Sequence, residues 1–596
     1  MNLRDSLLDA LRTLPGTRHF HLHVLVTAPK KNSSLYPFAH PRPRIYAQDI
    51  LVLLSEQSPT LDSPRILVSA IEAALYHVPN TNAAILYISK VDGTGQGLAP
   101  SPTATLVNAF VRWYADPETR PITAKHLWVH LFARAQGQYL FPNSADYEGK
   151  KPLNDVRLCA WWRRVLGKVA SEVQEKMHER EKEEEGASAE EGKGIVRLYY
   201  VLSGYNELEA YQSLGAVSSS FPTSSSGKSS SASTSVPWTY GHHYDQHEIP
   251  LPCPPPPEGL HNLGHYIPSF EDDPKNRFMD EISVIGDADT VKSPVRKRPR
   301  LLSVSEEREK EKQHEKDLEK EKEKEKDKSP PGELKTVTPA EFWERMSFRQ
   351  ECIAGAVTGF FVAGFSAPSP HPPPSTTSHS SSSKPVSSVS KPSPLAPQPG
   401  QVPVAMNKRI LTSLMTGNEF STVEAARKAT EVIEGAIRGL CENLSSLLPP
   451  PSSSSGRPPS SRSGKPPSSA RTQAPPSTSS KETRSLTSEA NAEVKEKEKE
   501  KEKPTLLEVP RTPPRKNSSL PSVDDISPNP FDEPETTLET YHAHIYGTVY
   551  VDNPPLVKKT ARSGQESGSV GGETGEEKPK VNVLAVRKKK KKVEAA

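Results

Sequence analysis

Three groups of side chains in this sequence have types and spacings that could do chemistry. His19, His21 and His23 alternate through the run HFHLHVLV, so an extended chain puts all three on one face. Three imidazoles on one face can ligate zinc. The same pattern is also that of a half-exposed strand, and neither a carboxylate nor a cysteine accompanies it. His242, His243 and His247 stand beside Asp245 in a loop-like stretch and leave the same two readings open. The third group is a set of segments rich in aromatic and acidic residues. It comprises GQYLFPNS (137–144), KKPLND (150–155), AWWRR (160–164), IPSFEDDPKNRFMDEI (267–282) and EFWERMSFRQECIAGAVTGFFVAGFS (341–366). By residue type alone, the tryptophan pair suits a core as well as a site. The Asp-Asp-Pro-Lys turn likewise suits a helix N-cap as well as a catalytic pair. No Walker A loop, no GxSxG elbow and no GxGxxG after a strand is present, which counts against nucleotide-driven, hydrolase and dehydrogenase chemistry.

The elements that would position these residues are discontinuous. The chain has 596 residues, of which 34% are hydrophobic and 60 are prolines, with a mean hydropathy of −0.63. Segments so poor in apolar surface cannot offset the entropy of ordering their backbone. The sequence therefore predicts one folded unit interrupted and trailed by low-complexity chain. Lys and Arg total 76 against 73 Asp and Glu, so basicity is local rather than global. Cys159, Cys253, Cys352 and Cys441 lie far apart with no CxxC pair, which predicts reduced thiols rather than disulfides or a thiolate zinc site. No signal peptide is read, and the longest apolar run, 353–367, is too short to span a bilayer.

Periodicity places the elements. Leu3, Leu7, Leu8 and Leu11 predict an amphipathic N-terminal helix. Strands are expected at 19–26, at 83–90 before the turn VDGTGQG, at 126–133 and at 195–203. Helices are expected at 103–114, at 158–169 with Trp161 and Trp162, and around Phe342, Trp343, Met346 and Phe348. A further helix is expected at 421–448, where Ser421 and Glu424 form a capping box and Val432, Ile433, Ala436, Ile437, Leu440 and Leu444 form an apolar stripe. Glu/Lys alternation dominates 306–328 and cannot bury a face.

Taken together, the third group resembles the fungal histone H3 acetyltransferases of the Rtt type, akin to the metazoan CBP-class enzymes. The QYLFP turn, the WW helix, the DDPK–RF segment, the FW-plus-RQE helix and the VNVL-basic C-terminus occur in that order, and SKVDGTG (89–95) looks like that family's Ser-Lys-Ala-Asp-Thr segment. The resemblance covers residues 1–445 discontinuously, and 581–596. It implies an α/β fold, with a mixed central sheet surrounded by helices and long disordered insertions. Residues 1–448 would form the acetyltransferase domain, interrupted at about 178–193, 218–235, 286–335 and 367–405. A disordered Ser/Pro- and Lys/Glu-rich tail (449–539), a short aromatic segment (540–553) and a basic tail (580–596) would follow.

The resemblance also implies acetyl-CoA as co-substrate, no metal, and transfer to lysines of newly made histone H3 during replication-coupled nucleosome assembly. The implied partners are histone H3–H4 and histone chaperones of the nucleosome-assembly-protein and anti-silencing classes, with no membrane and no sequence-specific nucleic acid. A lysine amine with an ordinary pKa of about 10.4 must lose a proton before it attacks a thioester. By similarity Asp273 receives that proton, Asp272 helps shape the site, and Lys275 matches a lysine that becomes autoacetylated; an ordinary Lys–Asp ion pair is the alternative. Trp162 and Tyr139 match the family's active-site aromatics. Val91, Asp92, Gly93, Phe132, Lys151, Pro152, Leu153 and Trp161 would line the cofactor cleft, with Lys150, Lys151 and Arg134 toward the CoA phosphates. Val91 and Gly93 replace the family's Ala and Thr, and no arginine follows Gly93 before Arg112. The basic runs 294–300 and 586–592 are of the type that directs nuclear import, and equally suit the acidic surface of a histone chaperone, DNA, or a solubilising tail. A non-catalytic nuclear scaffold that gathers histones and chaperones is the alternative function. A DNA-binding regulator lacks any helix-turn-helix, zinc-finger or basic-zipper signature.

Overall fold

The computed structural model describes residues 2–59, 63–183, 193–218, 235–285, 332–349, 357–368, 393–442 and 530–555. In chain order the helices are α1 (Leu3–Leu11), α2 (Thr103–Ala115), α3 (Asp155–Glu183), α4 (Glu207–Ser218), α5 (Pro274–Ile285), α6 (Pro339–Ser347), α7 (Val404–Thr416) and α8 (Val423–Cys441). The strands are β1 (Gly16–Val26), β2 (Lys30–Asn32), β3 (Ile45–Gln57), β4 (Arg65–Val78), β5 (Ala83–Gly93), β6 (His126–Ala133), β7 (Ile195–Leu202), β8 (Trp238–Tyr240), β9 (Gly359–Ser366) and β10 (Tyr546–Asn553). They form one ten-stranded sheet in the order β10-β1-β3-β4-β5-β6-β9-β7-β8, with β2 beside β3. The β5–β6 and β7–β8 pairs are parallel and the others antiparallel, so the sheet is mixed as expected.

Two-residue periodicity buries both faces of the sheet. Phe20, Leu22 and Val24 of β1 join Leu86 and Ile88 of β5 and Leu127 and Val129 of β6 in a core completed by α1, α2 and α3. On the opposite face Leu25, Leu51, Leu53 and Leu67 meet Ile410 and Leu414 of α7 and Ile433 and Ile437 of α8. Ion pairs and hydrogen bonds fix α8 there: Arg65 donates to Glu434 at 2.7 Å, Ser55 also reaches Glu434, and the Leu67 amide donates to Thr430 at 2.8 Å.

Several expectations change. The helix predicted at 158–169 runs from Asp155 to Glu183, because Val169, Val173 and Met177 continue its buried face into the Glu/Lys-rich stretch. The cap of α8 is Thr422, whose hydroxyl accepts from the Ala425 amide at 3.2 Å, while Ser421 donates instead to Glu419. Val432 is exposed rather than on the buried stripe, and Leu444 lies outside the described residues. Within the 367–405 interruption, Val402 bridges Thr27 of the sheet. Residues 540–553, read as a separate aromatic segment, contribute β10, which pairs with β1 from Gly16↔Asn553 to His23↔Tyr546. Phe348 is exposed, and Gly359–Ser366 forms a strand. Cys352, most of the RQE segment, the VNVL tail and both basic runs lie outside the described residues. Cys159, Cys253 and Cys441 are buried free thiols.

Candidate active site

The histidine groups do not converge on a metal. His21 Nδ1 lies 2.9 Å from the Tyr546 hydroxyl and His23 Nε2 lies 3.1 Å from that of Tyr541, so both are engaged with the C-terminal segment. Burial lowers both to a pKa of about 3. His243 is buried against Trp128 and His130, and His242 lies 3.7 Å from Asp245. Among the described residues no group of three or more His, Cys, Asp or Glu side chains could hold a metal ion.

The aromatic and acidic segments do converge. The end of β5, the loop after it, the start of α2, the end of β6, the 134–139 turn, 149–153, the first turns of α3 and the start of α5 enclose a cleft of about 780 Å³. Val91, Asp92, Gly93, Phe132, Tyr139, Lys151, Pro152, Leu153, Trp161, Trp162 and Asp272 all line it. Asp273 and Lys275 do not belong to its lining.

Asp92 is the hub of one wall. Its Oδ2 accepts from the amides of Tyr139 (2.7 Å), Leu140 (2.9 Å) and Phe141 (3.3 Å), and its Oδ1 from the Gly93 amide and Lys150 Nζ at 2.8 and 2.9 Å. One carboxylate thus ties the end of β5 to the QYLF turn. Lys150, which also lines the cleft, donates to Ser144 at 2.7 Å as well, so its ammonium is held in a structural ion pair. Gly95, at φ +77°, passes so close that a Cβ there would lie 2.6 Å from Lys150 Cα. The Tyr139 hydroxyl donates to the Arg134 carbonyl, and burial, followed by the Asp92 charge, pushes its pKa up to about 12. Trp161 and Trp162 meet edge to face with ring centroids 4.7 Å apart.

The opposite wall begins at the Asp-Asp-Pro-Lys turn. Asp272 is 54% exposed and accepts from Lys90 at 2.8 Å, and Lys90 also bridges to Glu72 at 2.9 Å. Asp273 points inward. Its Oδ1 accepts from the Lys275 amide at 2.9 Å, and its Oδ2 pairs with Lys275 Nζ. That ammonium lies 4.6 Å from the Phe360 ring centroid and 5.8 Å from that of Trp343. Asp273 thus accepts from the first turn of α5 as a helix cap does, and the carboxylate that lines the cleft is its neighbour Asp272. Sequence reasoning missed Lys90 and Arg277, which also line the cleft, and Thr358, whose buried hydroxyl lacks a partner. Lys90 was visible in the SKVDG segment; Thr358 carried no signal.

The family model described as the histone acetyltransferase KAT11-type domain matches residues 114–435, more than half of the chain. The chain belongs to this family. Tyr139, the tryptophan pair, Asp272 and Asp273 fall inside the KAT11-type span, whereas the Asp92 loop precedes it. Histone acetyltransferase rtt109 of Aspergillus flavus is 24% identical over 59% of this chain and 54% of its own length. The protein of the same name from Schizosaccharomyces pombe is 32% identical over 18% of this chain and 29% of its own length. The chain thus spans about half, or less, of the curated relatives it matches. The crystal structure of Rtt109 from Aspergillus fumigatus aligns at a TM-score of 0.47 and 21% identity, over 74% of this chain and 96% of that one. Among the described residues, no helix of this KAT11-type chain is long and apolar enough to cross a membrane.

Proposed function

We propose that the chain is a protein-lysine acetyltransferase that moves acetyl from acetyl-CoA to lysines of histone H3. The observation that carries this is the single cleft in which the Asp92-stitched wall, the tryptophan pair and Asp272 face one another. Its volume is within the range of small-molecule sites. Its lining suits the cofactor: Lys151 and Arg134 offer cationic groups for phosphates, and Phe132, Leu153, Leu158 and the tryptophans offer an apolar channel.

Acetyl-CoA supplies the activated acyl group. The protein's part is to orient the incoming lysine, exclude water and take its proton. Trp162 and Trp161 hold the methylene stem of the substrate lysine in a narrow apolar passage. Asp272 accepts the proton that the ammonium must lose, and Lys90 fixes the rotamer of that carboxylate. The amine nitrogen would then bond the acetyl carbon, the carbon–sulfur bond break with its electron pair going to sulfur, and the nitrogen's second proton pass to that thiolate, giving the amide and the free thiol. Asp273 and Lys275 support the turn that presents Asp272. Histone H3–H4, with chaperones of the nucleosome-assembly-protein and anti-silencing classes, would be the partners, and the nucleus the location. The family match and the basic runs 294–300 and 586–592 support that setting.

The test is transfer from labelled acetyl-CoA to H3–H4 with a chaperone, for the wild type, Asp272→Asn, Asp273→Asn and Trp162→Ala. Transfer by the wild type that is lost in folded Asp272→Asn and Trp162→Ala supports the enzyme and its site. A folded wild type that transfers nothing, yet binds H3–H4, points to the scaffold instead.

A further inference from the structure

The cleft wall formed by residues 97–102 is held by two charged side chains that do not touch the cleft. Phe20 of β1 stands opposite Glu56 of β3, so Arg18, two residues earlier on the same face, is a diagonal neighbour of Glu56. The two side chains form a fully buried, two-pronged pair: Arg18 Nε donates to Oε1 at 2.6 Å and Nη2 to Oε2 at 2.9 Å. The pair does not close on itself. Arg18 also donates to the carbonyls of Leu98 (3.0 Å) and Pro100 (2.8 Å), and the Leu98 amide donates to Glu56 Oε2 at 3.1 Å. The guanidinium further lies 4.8 Å from the Phe20 ring centroid.

This loop lies between the Thr94 amide, which donates to the Val68 carbonyl, and the first turn of α2, where the Leu106 amide donates to the Pro102 carbonyl. Between those two anchors, Leu98 and Pro100 are fastened by Arg18 and Glu56. Gly97, Leu98, Ala99, Ser101 and Pro102 line the cleft; Arg18 and Glu56 do not. The approach at Gly97 is close enough that a Cβ there would lie 2.8 Å from Glu56 Oε2. Burying an ion pair gives little or no net stability compared with apolar residues of the same volume, because desolvation offsets the attraction. What an apolar pair could not supply is a set of directed bonds to two loop carbonyls and one loop amide.

We propose that Arg18 and Glu56 are positioning residues that set the backbone of the acetyl-CoA-facing wall, acting on cofactor affinity from outside the cleft. This rests on the reading that the cleft takes acetyl-CoA. Arg18→Lys keeps the charge but replaces a planar fork with a single ammonium, which cannot reach two carboxylate oxygens and two carbonyls together. Glu56→Gln keeps the shape and an acceptor for the Leu98 amide while removing the charge.

The experiment uses the full chain. It measures CoA binding by calorimetry, and kcat and KM for acetyl-CoA and for H3–H4, with thermal melting alongside. In Arg18→Lys the CoA Kd and the acetyl-CoA KM should rise about tenfold or more, while kcat and the H3–H4 KM stay within about twofold, as expected when cofactor binding alone is lost. Glu56→Gln should shift the same two constants in the same direction by less. CoA bound as tightly by folded Arg18→Lys and Glu56→Gln as by the wild type would overturn the proposal. So would a parallel loss in kcat and both KM values that follows the fall in melting temperature. A wild type that itself binds no CoA would instead remove the acetyl-CoA reading, and the proposal with it.

Discussion

Two buried lysine–aspartate pairs flank the cleft, and they are built in opposite ways. Asp92 and Lys150 are 58 residues apart, and the carboxylate spends its remaining capacity on four backbone amides. Asp273 and Lys275 are two residues apart, and the carboxylate accepts twice from the same lysine, whose ammonium rests among aromatic rings. The first pair is a tertiary joint: it defines where the QYLF turn sits relative to β5. The second is local: it shapes one turn and presents Asp272. Similar burial and identical charges therefore serve different purposes, decided by what else the carboxylate accepts.

The largest effect should come from breaking the tertiary joint. Asp92→Ala strands a buried Lys150 and releases the amides of Tyr139, Leu140 and Phe141. Removal of one partner of a buried pair costs about 3–5 kcal/mol, and the amides lost here put this variant at or above the upper end. Urea denaturation should show it, and acetyl transfer should fall with it. If stability changes by less than about 1 kcal/mol, the hub assignment is wrong.

Next comes the local pair. Lys275→Met leaves Asp273 buried and uncompensated, at a cost of about 3 kcal/mol. Adding Asp273→Asn should restore most of that loss, because the desolvated charge is gone. The contrast sharpens with Lys150→Met, where adding Asp92→Asn should restore less, since the amides of Tyr139, Leu140 and Phe141 lose a charged acceptor. Equal recovery in both cycles would erase the distinction between the two joints.

Behind the local pair lies His130, buried, with Nε2 unpartnered and its ring 5.2 Å from that of His243. Burial, then the nearby Lys275 charge, lowers its pKa to about 3. The folded state holds it neutral while the unfolded chain takes up a proton as pH falls below about 6.5. Its contribution is therefore fully present above pH 6.5 and is lost progressively down to about pH 3, at up to about 1.4 kcal/mol per pH unit. His130→Phe should remove about 2 kcal/mol of the stability lost between pH 6.5 and 5. Denaturation at the two pH values measures this, and an unchanged difference would show that His130 titrates normally in the fold.

β3 and β4, buried in long unbroken runs, were not read from the sequence, whereas β1, β5, β6 and β7 were legible because two-residue alternation is local, and so was the membership of the cleft, because its segments occur in recognisable order. The joints were not. Lys150 reads as a phosphate contact, and nothing in the run of residues 89–95 announces Asp92 as its partner. His21 and His23 leave a ligand set and a half-exposed strand both open until Tyr546 and Tyr541, more than 500 residues away, occupy them. The end of α3 was hidden for another reason. Its Glu- and Lys-rich surface resembles an insertion, while Val173 and Met177 bury only a narrow stripe.

The smallest effect tests a joint of a third kind, neutral and exposed. Ser421 and Thr422 both have hydroxyls that can cap a helix, and the sequence pairs Ser421 with Glu424. In the fold the cap shifts by one residue, with the Thr422 hydroxyl accepting from the Ala425 amide. Thr422→Ala should therefore cost about 1 kcal/mol, and Ser421→Ala less than about 0.5 kcal/mol. A larger loss for Ser421→Ala in thermal melts would restore the capping box. Because α8 carries Glu434 to Arg65 and Ser55, the loss should spread to β3 and β4 and yet leave the cleft intact. A cap replaces one solvated amide with a bonded one, so little is at stake. A buried carboxylate that loses its lysine has no water to fall back on, which is why the two aspartates on either side of the cleft dominate the ranking.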